Sequence, residues 1–273
     1  MKKILVPTDF STCAQAAADV ALQMAIKSKG ELLFLHLLVY RESIPRVPGA
    51  PLPAPPMPGK EQYQLDQLVS RAEQVGVRAK PILVVGDGSE RIEDYIQPYN
   101  IDFLVMGSHG VTGIREAIIG SNTQRVLRHV QVPSLVVKHK VDTFSPRHII
   151  FASTFKKDNA GALKILVEFS RLWKSTVHLL FINLLDHLIE ESTARQMMAS
   201  QMERSADVPY TMNITETNDK EFGIIAFAGQ LNTDVISTVM DPRGVFGRLM
   251  DPSLAEQLIN HSKMPVLIIP QDA

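Results

Sequence analysis

Between residues 105 and 121 the chain reads Val105-Met-Gly107-Ser-His-Gly110-Val-Thr-Gly-Ile-Arg-Glu-Ala-Ile-Ile-Gly120-Ser121. A strand-like run, Ile101 to Met106, precedes this loop, and a helix-like run ending near His129 follows it. Glycines at such a place let backbone N–H groups approach a ligand that a Cβ would hold off. Ser121 fits an N-cap, and Gln124 three residues later completes a capping-box pattern. A helix start offers unpaired N–H donors and the positive end of the helix dipole. That chemistry suits an anion, most naturally a phosphate. A plain turn would account for one glycine; it accounts less well for several glycines set between a strand and a helix.

Other side chains offer less. The eight histidines are scattered, with no His-x-x-His or cysteine cluster of metal-ligand spacing, so no protein-held metal site is expected. His36 lies in an apolar run and reads as a core histidine with its hydrogen bonds satisfied. His109, Arg115 and Ser108 can face an anion or solvent. No nucleophile–base pair is readable, and no catalytic residue is assigned. The single cysteine, Cys13, excludes an internal disulfide and fits a reducing, cytoplasmic setting. In the first turn of a helix its thiol pKa can be lowered, although a small packed residue is the plainer reading.

The elements that must position the loop alternate β and α. Lys2 to Pro7 reads as a strand, and Ser11 or Thr12 caps a helix that ends at Gly30. Glu31 to Val39 is an apolar run of the kind buried on both faces of a sheet. Arg46 to Gly59 holds so many prolines that polyproline II is expected; it is a stiff loop, a lid or a partner motif through Pro53-x-x-Pro56. A helix from Glu61 to Val75, a strand from Arg78 to Val85, a helix from Glu90 to about Tyr99 capped by Ser89, and strands at Ile101–Met106 and Ser134–Lys138 complete the set. This pattern predicts a doubly wound parallel sheet.

The pattern then repeats. Arg147 to Phe155 parallels Lys2 to Phe10, Thr176 to Leu184 parallels the second strand, and His261 to Ile269 matches His129 to Val137. The chain is an internal duplication with units at 1–140 and 147–273. Each is expected to be a flavodoxin-like, Rossmann-like α/β domain with a five-stranded parallel sheet of order 3-2-1-4-5. In that order strands one and four adjoin at the switch point where ligands bind. Asp9, at the end of strand one, can then reach a ligand held by the loop, or cap the first helix. In the second copy Thr154 replaces Asp9, Asp241 replaces Gly107 and Pro252 replaces Gly120. The carboxylates of Asp241 and Asp251 and the N–H lost at Pro252 oppose a phosphate there. Ser253 and Glu256 keep a capping box, and the second copy is expected to pair with the first as a built-in dimer partner.

The spacing Gly107-x2-Gly110-x9-Gly120-Ser121, with Val132-Pro133 before the last strand, resembles the ATP-binding signature of the universal stress protein family. The resemblance covers most of the chain and is stronger in the first half. It implies a stress-related regulatory protein that binds ATP, or AMP or ADP, with Mg2+ carried by the nucleotide and hydrolysis slow or absent. It implies that Asp9 and the backbone near Leu37, with Pro7 and Thr8, meet adenine or ribose. Met106, Gly107 and Gly110 line the ribose and phosphate approach, and Gly120, Ser121 and Asn122 receive the phosphates; His109, set where the family often carries a basic residue, departs from the pattern and can face a triphosphate. A ligand-free scaffold and a weak ATPase or nucleotidyl-transferring enzyme remain alternatives. The Ser-Gly-Gly-x-Asp-Ser and His-x-Gly-His motifs of related ligases are absent, as are the P-loop and a glycine fingerprint after strand one. Composition is ordinary: 45% hydrophobic, 21% charged, net charge −1. No nucleic-acid partner is expected from that balance, and no apolar run reaches the length of a membrane span. A homodimer of the whole chain is compatible with this reading.

Overall fold

The computed structural model describes residues 1–39, 59–109, 120–202, 208–240 and 254–271. The first half contributes β1 (Lys3–Pro7), α1 (Thr12–Ser28), β2 (Glu31–Val39), α2 (Gly59–Gln74), β3 (Ala79–Gly86), β4 (Phe103–Gly107), α3 (Ser121–His129) and β5 (Ser134–Val137). The second contributes β6 (His148–Ser153), α4 (Ala160–Trp173), β7 (Thr176–Leu184), α5 (Glu191–Met202), β8 (Tyr210–Thr217), α6 (Lys220–Leu231), β9 (Val235–Met240), α7 (Leu254–His261) and β10 (Val266–Pro270). All ten strands form one sheet in the order β3-β2-β1-β4-β5-β10-β9-β6-β7-β8. Each half therefore has the expected order 3-2-1-4-5, with all its pairs parallel, and β5 meets β10 antiparallel at the seam.

Side chains alternate across a strand, so the sheet builds two apolar layers that each cross the seam. One layer joins α1, α2, α4 and α5 to residues such as Val6, Phe34, Phe103, Phe151 and Phe181. The other joins α3, α6 and α7 to Leu5, Leu35, Leu104, Ile150 and Ile268. Phe103 and Phe169 stack across the halves with ring centroids 6.0 Å apart.

The duplication is written in the backbone as well. Non-glycine residues with positive φ fall at matching positions: Phe10 (64°) and Phe155 (51°), Lys29 (55°) and Lys174 (58°), Asn100 (53°) and Asn232 (51°). Asp102 accepts from the N–H groups of Lys2 and Lys3, and Asp234 accepts from those of Arg147 and His148.

Three local expectations are corrected. No α-helix follows Ser89; a short 3-10 turn covers Ile92–Tyr95, and the carboxylate that accepts its leading N–H, from Arg91, belongs to Asp94. Gly120, not Ser121, occupies the cap position of α3, with φ −65° and ψ 145°, so Ser121 is already helical. Lys29, rather than Gly30, takes the left-handed turn that ends α1. The proline-rich stretch 46–58, Gly110, Arg115 and the second-copy loop from Asp241 to Ser253 lie outside the described residues.

Candidate functional site

The order β2-β1-β4 brings the carboxyl ends of these three strands together, as a switch point requires. A cleft of about 180 Å³ opens there. Pro7, Thr8, Asp9, Leu37, Met106, Gly107, His109, Gly120 and Asn122 line it, which gathers nine of the residues named from the sequence into one place. Ser121 opens the helix whose start forms one wall. Thr123, His36, Ala14, Leu35 and Ile92 also line the cleft, and the sequence reading did not place them there.

The walls are built by local chemistry. Buried Thr8 donates its N–H to Leu35 O at 2.8 Å and accepts from Phe10 N–H at 3.0 Å, which shapes the turn after β1. Asp9 accepts from Ser11 N–H at 3.0 Å, and Ser11 in turn caps α1 by accepting from Ala14 N–H. Asp9 is thus set by the turn before the helix rather than used as its cap. His36 is half-buried and donates from Nδ1 to Thr8 O at 2.7 Å, because a carbonyl can only accept. The expectation of a satisfied core histidine holds for its hydrogen bond and not for its place, since the ring borders the cleft beside Phe10.

On the opposite wall, Gly107 ends β4 against the first turn of α1. A Cβ there would lie 3.0 Å from Cys13 C and 3.1 Å from Ala14 N, so the glycine is required first by packing of strand on helix. Ser108 O accepts from Gly120 N–H at 2.8 Å, and Gly107 O accepts from the buried Thr123 hydroxyl at 3.0 Å. These two bonds fasten the first turn of α3 to the end of β4. Gly120 supplies no side chain to cap α3, so the positive end of the helix faces the cleft without a carboxylate or hydroxyl from the cap position.

His109 is held between Ser108 Oγ, 2.9 Å from Nδ1, and Cys13 Sγ, 3.4 Å from Nε2. Burial pushes the Cys13 thiol up; the Ser108 hydrogen bond opposes that and nearby Asp9 adds to it. The lowered thiol pKa considered from the sequence is therefore reversed, because the loss of solvent outweighs the helix start. Arg125 of α3 lies 3.6 Å from Glu93 in the 3-10 turn.

Residues 1–138 match the universal stress protein family. The chain is 31% identical over 155 residues to universal stress protein MJ0577 of Methanocaldococcus jannaschii, covering 51% of this chain and 96% of that one. It is 27% identical over 139 residues to MJ0531 of the same organism, covering 50% and 82% respectively. A universal stress protein structure from Archaeoglobus fulgidus superposes over 98% of both chains with a TM-score of 0.72 at 18% identity, a likeness of fold that extends through both halves. Within the described residues no helix is long and apolar enough to cross a membrane. Sequence match, sheet order and the arrangement of the switch point agree, and the chain belongs to the universal stress protein family.

Proposed function

We propose that the first half binds an adenine nucleotide, ATP in particular, and that the protein acts as a nucleotide-dependent regulatory module with slow or absent hydrolysis. One observation carries this: the cleft sets Asp9 and the end of β2 on one side and the uncapped start of α3 on the other. A carboxylate suits a ribose hydroxyl or an amino group, and a helix start suits phosphates. Gly120, Ser121 and Asn122 would receive the phosphates, with Mg2+ bridging phosphate oxygens as it does when it arrives with a nucleotide. The second half, with Thr154 in place of Asp9, serves in this reading as the structural partner of the first.

Calorimetric titration with ATP and magnesium, beside AMP, tests the reading. Gly120 has φ −65°, open to any L residue, and aspartate is a favoured helix cap. Gly120→Asp should therefore keep the melting temperature while its charge repels the phosphates, weakening ATP binding by about tenfold or more. Wild-type protein that gives no heat and no thermal shift with millimolar ATP would overturn the proposal and leave the glycine loop as a turn.

A further inference from the structure

The nucleotide reading makes the pose of α3, a helix of nine residues, decisive for how its first N–H groups meet phosphates. Its start is fastened within the first half, at Ser108 and Gly107. Its last turn is fastened by the other half. Arg128 donates from Nε at 2.9 Å and from Nη2 at 2.8 Å to one oxygen of Glu256, in the first turn of α7. The Glu256 side chain is fully buried (0% exposed), while Arg128 retains 29%. Around the pair, Val126 and Leu127 of α3 share an apolar layer with Ala255, Leu258 and Ile259 of α7. Lys138, just beyond β5, adds a second tie by donating its ammonium to Asn260 O. The charges also suit the dipoles, a cation at the end of α3 and an anion at the start of α7.

Symmetry makes this contact notable. Matching His129 with His261 places Gln124 at the position of Glu256 and Asn260 at the position of Arg128. A true two-fold interface would repeat each contact, yet the second pair of positions carries no charge. Replacing a buried ion pair by apolar groups is often neutral or stabilising, so stability alone gives little reason for it. Geometry gives a better one. Arg128 stands about 12 Å along the helix from Gly120, so a tilt of about 5° moves the phosphate end by about 1 Å.

We propose that Glu256, carried by the half that lacks the glycine signature, is a positioning residue for the nucleotide site of the other half, acting through Arg128 on α3. The inference rests on the nucleotide reading above. It makes a particular demand: the phosphate-dependent part of affinity depends on Glu256, whereas the nucleoside part, held at Asp9 and the end of β2, does not.

The full chain would be titrated with adenosine and with ATP plus magnesium as wild type, Glu256→Gln, Arg128→Lys and the double variant Arg128→Met/Glu256→Leu. The double variant leaves no charge unpaired, which keeps the test open where a single change unfolds the protein. The expected result is a loss of about tenfold for ATP in Glu256→Gln and the double variant, with adenosine changed by less than about twofold. Arg128→Lys, which keeps a charge pair, should lose less than the double variant. Equal losses for adenosine and ATP, or unchanged ATP affinity in the double variant, would overturn the inference while sparing the nucleotide reading. A wild-type chain that binds neither ligand would overturn both.

Discussion

His148 Nδ1 lies 3.0 Å from His178 Nε2, and His178 Nδ1 lies 2.8 Å from the Thr211 hydroxyl. Burial lowers the His178 pKa, and the neighbouring His148 lowers it further. A histidine with a depressed folded pKa binds its proton more readily when unfolded, so stability falls as the pH drops below about 6.5 and levels off below the folded value. Denaturant unfolding at pH 7.5, 6.5 and 5.5 should show that decline, and His178→Gln should flatten it; an equal slope in both proteins would remove His178 as the cause. Residues differ in how openly a sequence shows such roles. Asp9 was legible because strand order alone brings it to the switch point. Gly107 was legible as a glycine, but not the packing that requires it: the missing Cβ makes room for the backbone of Cys13 and Ala14. His36 was misplaced because an apolar run conceals where along a strand burial stops.

Elements were read best where one physical rule dominates. Glu31–Val39 and Thr176–Leu184 came out with the bounds expected, since a strand covered on both faces reads as a near-continuous apolar run. The stretch from Ser89 to Tyr99 failed because short-range hydrogen bonds compete there with a helix. Asp87 accepts from Ser89 N–H, Glu90 accepts from Asp87 and Gly88, and Asp94 accepts from Arg91. Side chains of this type favour turns over helix interiors. Ile92, held in that turn, borders the cleft, so the turn matters to the site. Asp94→Ala should cost about 1 kcal/mol of stability, as loss of a cap does, and Ser89→Ala should stay within about 0.5 kcal/mol. Chemical denaturation of the two variants decides this, and the reverse ranking would restore Ser89 as the cap.

At the scale of the molecule, the repeat in the sequence foretold two units of like topology, but not their side-by-side register. Arg128 and Glu256 stand far apart in the chain, and no local periodicity announces such a pair. The seam covers β5, pairing Val136 with Val266, Leu135 with Leu267 and Ser134 with Ile268. Cutting the chain after residue 140 would bare that strand and the apolar surface beside it, and unpaired edges seek partners. A 1–140 fragment should therefore self-associate in sedimentation experiments; a well-folded monomer at micromolar concentration would contradict this. Because both units lie on one chain, their association does not weaken on dilution, in contrast to an assembly of separate subunits. Identical subunits can change an interface residue only in both copies at once. Here Arg128 and Asn260 occupy equivalent positions with different chemistry, so each unit is free to vary on its own side of the seam. Under the proposed function, covalent linkage fixes the ratio of binding unit to supporting unit at one to one in every molecule.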